Sequence, residues 1–382
     1  MPFSPSPESQ SLGLLFQLQK RHPAMEPDGV VSKPFAVVAC VSMALLYVAV
    51  LYAPTLLLRL PPPSSFEAYM IRRFLCAVVS TVLSLSLSAL IIPVQSKELL
   101  YLFGVYGIRM DHIWQAVVFP LTLTSLMYAG SLFLKFLLLL GSWREHTNSG
   151  GGLSFDSCKY ATQKFVAWFS AVSTNVMAWR NYIVAPLTEE LVFRACMIPI
   201  LLCGGFKPYG VILLCPIFFS LAHLNHFMEI YAKQNYRIKK AVMVIGLQLG
   251  YTVVFGSYAS FLFIRTGHLI APLVAHICCN FMGLPVLFSK RSAAASIAFI
   301  LGLLGFLWLL FPITTPDLYN DRFLGVTVGT RGQNQEPLRT ERRIGWRQKM
   351  WQPRLHLLQR RSFVEDSPEE QCLQMSRRRR RA

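Results

Sequence analysis

Charge is scarce in this chain, and acidic charge scarcest of all. Only 15% of the 382 residues are Asp, Glu, Lys or Arg, and 19 acidic residues stand against 37 basic ones. Ordinary soluble domains carry about 25% charged residues. Several motifs are missing too. There is no Gly-x-Ser-x-Gly elbow, no His-Glu-x-x-His and no phosphate-cradling glycine loop. Their absence removes the serine-hydrolase elbow, the commonest zinc-protease helix and P-loop chemistry. The nine cysteines contain no Cys-x-x-Cys pair, and Cys278-Cys279 sits inside an apolar run, so buried free thiols are expected. No segment repeats, unlike many transporters. Residues 1–33 show no cleavable leader: their short apolar stretch, Leu12 to Leu18, is interrupted by Gln17. The first transmembrane helix is therefore expected to do the targeting.

Hydrophobicity is what the chain has in quantity. Apolar residues make up 53% of it, and the mean hydropathy is +0.43. Eight apolar runs are candidates for membrane spans of about twenty residues. They are Pro34 to Leu58, Phe74 to Val94, Ile113 to Leu140, Tyr182 to Cys203, Tyr209 to Leu224, Ala241 to Ile264, His268 to Phe288, and Ser292 to Phe311. The expected fold is all-α: a polytopic membrane bundle of about eight transmembrane helices around a buried polar active site. The stretch from Ser154 to Trp179 is amphipathic and suits the membrane interface.

The net charge of +18 does not signal nucleic acid. Much of it lies in short loops and at the C-terminus. Residues 331–382 hold fourteen Lys or Arg against six Asp or Glu and end in five arginines before Ala382. The loops 59–73, 141–181, 229–240 and 289–291 are basic, and the positive-inside rule makes their side cytosolic. Four segments follow: a tail over 1–33, N-terminal membrane helices and linker over 34–180, a catalytic core over 181–312, and a basic, disordered tail over 313–382.

Against this background the few charges inside apolar runs stand out. Glu189 and Glu190 are adjacent within the fourth run, and Arg194 follows. Intramembrane carboxylates are costly and generally functional. On a helix Glu190 and Arg194, four apart, share a face, while Glu189 is rotated by about 100° from Glu190. One carboxylate can pair with the arginine while the other stays available as a general base. The plainer reading is a structural ion-pair cluster. His223, four residues after Phe219, is alone an ordinary core histidine; it gains weight as a second titratable group at membrane depth. His276 and Asn280, also four apart, present two polar tips on one face, which suits helix–helix hydrogen bonding as well as catalysis. Together the groups suit amide hydrolysis: a glutamate and a histidine to activate water, a second histidine and an amide to bind an oxyanion.

Glu189-Glu190-x-x-x-Arg194, Phe219-x-x-x-His223 and His276-x-x-x-Asn280 resemble the three motifs of the CAAX-protease and bacteriocin-processing family. The flanks, from Trp179 to Met197 and from Phe261 to Ile270, are similar to its type II CAAX prenyl endopeptidases. The resemblance covers roughly residues 35–320 and is densest from 179 to 285. It implies an eight-helix intramembrane glutamate protease, multi-pass in the endoplasmic reticulum membrane, with no cofactor and no metal. Implied partners are farnesylated or geranylgeranylated CAAX proteins such as Ras-type small GTPases, from which the last three residues are removed. It further implies Glu189 as the water-activating base assisted by His223, Glu190 paired with Arg194 in support, and His276 and Asn280 as the oxyanion hole. The first thirty residues and everything after about Asn320 depart from the family pattern. Three alternatives stay open: zinc held by Glu189, His223 and His276, a nucleophile among Cys196, Cys278 and Cys279, and a transporter using the buried charges as an ion path.

Overall fold

The computed structural model describes residues 31–92, 99–148, 155–226, 231, 238–285 and 292–320. Among these residues every regular element is helical. The chain runs through α1 (Lys33–Leu56), α2 (Phe66–Ile91), short α3 (Leu99–Val105), α4 (Ile113–Met127), α5 (Ala129–Asn148) and α6 (Phe155–Ser173). A continuous helical segment over 176–203, here α7, comes next. Then follow α8 (Pro208–Ala222), α9 (Ile238–Thr266), α10 (Ile270–Met282) and α11 (Ala293–Leu309). The outward faces of the long helices are apolar and exposed, as at Val38, Leu45, Leu75 and Leu247. That is the surface a bilayer covers, and the chain is a polytopic membrane protein.

Each of the eight apolar runs contains a helix, but their limits differ from the expectation. Among the described residues, only α1, α2 and α9 are individually long and apolar enough to cross a membrane. The expected single span Ile113 to Leu140 is two helices bent by 81°. The break falls at Tyr128, whose phenol donates to the Gly283 carbonyl at 2.6 Å. Together with the following Gly130 (glycine being a poor helix former), this anchor ends one helix and starts another. The second run begins earlier than expected, at Phe66, because Ser65 caps α2 by accepting from the Ala68 amide at 3.1 Å. Arg72 and Arg73 thus lie on the helix rather than before it. Residues 313–320, grouped with the tail by sequence, form two 3-10 turns, Pro312–Thr314 and Pro316–Leu318. The rest of the basic tail lies outside the described residues, as does most of 1–33.

Close contact in the bundle is made by small and hydroxylated residues. Buried Ser80, Thr81, Ser84 and Ser88 line one face of α2. Thr81 and Ser84 turn their hydroxyls back to the carbonyls of Ala77 and Ser80, both at 2.8 Å. This satisfies them in an apolar surrounding. On α9, Gly256 lets the helix meet α8: a Cβ there would stand 2.9 Å from the Pro216 Cβ and 3.3 Å from Arg194 Nη2. The absent side chain thus shapes the floor under the buried charges.

Candidate active site

α7 carries the site, and it is not a uniform α-helix. It is α over Val176–Trp179, π over Arg180–Val184, α over Ala185–Glu190, π over Leu191–Cys196, and α again over Met197–Cys203. The two glutamates end a short α-helical piece with a π segment on either side. π segments are rare and cluster at functional sites, because they re-aim side chains. No composition signal in 176–203 distinguishes them from ordinary helix.

Glu190 and Arg194 are both fully buried. Arg194 Nη1 donates to Glu190 Oε1 at 2.9 Å. The same oxygen lies 2.7 Å from His276 Nδ1. The Arg194 guanidinium lies over the Phe219 ring, 4.6 Å from its centroid, a cation–π contact that compensates part of its desolvation. Glu190 Oε2 and Arg194 Nε and Nη2 have no hydrogen-bond partner among the described residues.

Glu189 points elsewhere, as the 100° offset implies. Its side chain is 17% exposed, and Oε2 lies 3.8 Å from His276 Nε2. It lines a cleft shared with His223, Tyr47, Arg73, Arg180 and Phe219. His223 caps the end of α8, and its Nδ1 lies 2.9 Å from the Phe219 carbonyl. That contact makes Nδ1 the donor and leaves Nε2 as an acceptor. Its ring packs edge-on against Phe219, with centroids 4.7 Å apart. Glu189, Glu190, Arg194, His223 and His276 are thus gathered from α7, α8 and α10.

Asn280 sits differently. It is exposed, and its Nδ2 donates to the Asn181 carbonyl at 2.8 Å. The amide braces the first π segment of α7 against α10. His276 is likewise half committed: Nδ1 serves Glu190, and only Nε2 is directed toward Glu189. Three neighbours of Glu189 carry no emphasis in the sequence reading. Tyr47 on α1 is within hydrogen-bond distance of Thr188, the two oxygens 3.2 Å apart. In sequence Arg73 ends the basic loop 59–73, and Arg180 lies in the basic loop 141–181. A polar tip recurring in an apolar run was the available signal for Tyr47; the arginines had none beyond their charge.

The alternatives meet specific geometry. Among the described residues no three His, Cys, Asp or Glu side chains converge as a metal site, so Glu189, His223 and His276 do not form one. Cys196 is fully buried and Cys279 nearly so, and neither lines the cleft. All seven described cysteines are free thiols.

Comparison with known proteins bears on the same segment. Residues 171–282, which hold every group just described on α7, α8 and α10, match the family model described as Type II CAAX prenyl endopeptidase Rce1-like. The chain is 57% identical over 298 residues to the CAAX prenyl protease 2 of Arabidopsis thaliana, covering 78% of this chain and 95% of that protein. The chain belongs to the type II CAAX prenyl endopeptidase family. It is also 34% identical over 323 residues to the human CAAX prenyl protease 2, covering 79% of this chain and 88% of the human one. The protein of that name from Caenorhabditis elegans is 30% identical over 181 residues, 47% of this chain and 60% of that one. No solved structure matches. In this type II endopeptidase family member, the matched segment begins before the first π segment of α7 and ends with α10. It therefore includes Arg180, whereas Tyr47 and Arg73 come from the helices preceding it.

Proposed function

We propose that the chain is a membrane endopeptidase that removes the last three residues from prenylated CAAX proteins. Farnesylated or geranylgeranylated Ras-type small GTPases in the endoplasmic reticulum membrane are its substrates. One observation carries the mechanism. Of two adjacent carboxylates, Glu190 is held dry by Arg194 and His276, while Glu189 faces a cleft that His223 also lines. Glu189 is the base that takes a proton from water, and His223 Nε2 accepts from and orients the same water. The activated oxygen attacks the scissile carbonyl, and the proton taken up by Glu189 passes to the leaving amine.

His276 and Asn280 are the proposed oxyanion donors, with unequal claims. His276 donates to Glu190 through Nδ1, so its Nε2, beside Glu189, offers a donor only in the imidazolium form. Asn280 has one amide hydrogen committed to Asn181 and a second still available. The catalytic core is taken as 181–312, and the basic loops support a cytosolic side for the mouth of the cleft, where CAAX substrates reside. The test is mass-spectrometric detection of the released tripeptide from a farnesylated CAAX peptide, using the purified protein in detergent. Cleavage three residues from the end, abolished by Glu189→Gln, supports the reading. No cleavage, or equal cleavage by Glu189→Gln, overturns it.

A further inference from the structure

Two arginines line the cleft with Glu189 and His223: Arg73 from α2 and Arg180 from the first π segment of α7. Both are partly buried. Arg73 donates to the Tyr69 hydroxyl at 3.0 Å. Among the described residues, neither guanidinium is held in an ion pair by a carboxylate. Tyr47 lines the same cleft, so the three charges belong to one neighbourhood. Two cations against one carboxylate leave the mouth of a protease cleft with an excess positive charge. The mechanism proposed above uses neither of them.

The position of Arg180 also matters. It precedes Glu189 by nine residues on a continuous helical segment, roughly 13 Å by helical rise. A substrate cut three residues from its end carries a free carboxylate about 10 Å beyond the scissile carbonyl, if the three residues are extended. A long arginine arm spans the difference. Guanidinium forks match carboxylates in shape and charge, and a partly desolvated site strengthens the contact.

Resting on the function proposed above, we infer that Arg73 and Arg180 clamp the free α-carboxylate at the substrate's C-terminus. The clamp sets the length of the released fragment, because only a terminus three residues past the scissile bond reaches both arginines while the carbonyl sits at Glu189. It reads the terminal charge rather than the side chains between.

The test compares two farnesylated CAAX peptides of one sequence, one ending in a free acid and one in a primary amide. They are assayed with the full chain in detergent and in neutral or anionic lipid vesicles. The unaltered protein is expected to prefer the acid by roughly ten- to a hundred-fold in kcat/KM, the scale of a lost charge-assisted hydrogen bond. In Arg180→Gln and Arg73→Gln that acid-to-amide ratio falls toward one, mostly through KM. Arg180→Lys retains part of it, since charge remains but the fork is lost. Equal cleavage of acid and amide by the unaltered protein overturns the clamp and leaves the endopeptidase reading intact. So does an undiminished ratio in both Gln variants. Equal losses on both peptides, or losses reversed by changing lipid charge, assign the arginines to folding or to lipid phosphate instead. Failure of the unaltered protein to cleave either peptide defeats the endopeptidase reading itself.

Discussion

Two buried arginines mark two regions of this bundle, and they are treated in opposite ways. Arg109, in the loop between α3 and α4, is saturated. Its Nε donates to Asp111 Oδ1 at 2.9 Å, Nη1 to Asn320 Oδ1 at 2.8 Å, and Nη2 to the Tyr319 carbonyl at 3.2 Å, with a further close contact to Asp111 Oδ2. Arg194 makes a single hydrogen bond, to Glu190, and leaves Nε and Nη2 without partners among the described residues. His268, whose ring centroid lies 6.2 Å from that of Tyr319, stands two residues before α10. His276 lies eight residues further on, roughly 12 Å away by helical rise. The first cluster is a clasp joining residues more than 200 positions apart. The second is an incompletely satisfied group beside a cleft. Buried polar groups without partners are rare, and where they occur they call for a functional explanation. Between the two arginines, the unsatisfied guanidinium nitrogens of Arg194, more than burial, set the cleft site apart from the clasp.

The largest effect that sharpens this contrast is at Glu189. Glu189→Gln keeps the shape of a partly exposed side chain and removes its basicity. Cleavage of a farnesylated peptide should fall by about 10²–10⁴-fold, the usual contribution of a general base. The melting temperature in detergent should barely move, because no buried partner is stranded. A large fall in melting temperature would make Glu189 part of the scaffold and blur the distinction between the two regions.

Next in size is the direct exchange of the two arginines. Arg194→Gln strands a fully buried Glu190, a situation that typically costs about 3–5 kcal/mol. It also releases His276 from its present geometry, so activity per folded molecule should fall sharply as well. Arg109→Gln leaves Asp111 with partial solvent access, at 19% side-chain exposure. It should cost about 1.5–3 kcal/mol, the worth of hydrogen bonds to a charged group, with kcat per folded molecule close to that of the unaltered chain. Thermal melts and active-site-normalised kinetics on both variants separate the roles. Equal kinetic damage from both would erase the contrast.

The two regions also differed in how far sequence could see them. Glu189, Glu190, Arg194, His223 and His276 were visible because each is a titratable residue inside an apolar run, where the cost of burial makes it conspicuous. The helices were visible for the converse reason, as long uncharged stretches. The π segments on either side of the glutamates were not, since Leu191 to Cys196 reads as ordinary helix. The bend at Tyr128 depends on a hydrogen bond to Gly283, 155 positions away. The Arg109 clasp was hidden because its members lie in polar loops, where charges are unremarkable, and because its partner Asn320 is 211 positions distant. Such contacts depend on how the helices assemble, and no local pattern encodes that.

The smallest expected effect is a pH dependence that belongs to the clasp. Partial burial pushes the Asp111 carboxyl up, but the hydrogen bond and charge of Arg109, aided by His268, outweigh it. They hold the carboxyl below its ordinary value of 3.8. A carboxylate depressed in the folded state binds its proton more weakly there than in the unfolded chain. Its stabilising contribution is therefore complete above the unfolded value and is lost as pH falls through the folded one. From pH 7 down to about 4.5, somewhat above that ordinary carboxylate value, the melting temperature of the unaltered protein should exceed that of Asp111→Asn by a constant margin. Below pH 4 the margin should shrink, because protonated Asp111 resembles the amide it is compared with. The measurement is a pair of melting curves in detergent at matched pH, with His112, 3.5 Å from Asp111, kept intact in both. A margin that persists unchanged to pH 3 would mean that Arg109 is held by Asn320 and Tyr319 and not by Asp111. The clasp would then be a neutral hydrogen-bonded latch, and the likeness of the two arginine sites as carboxylate pairs would fail.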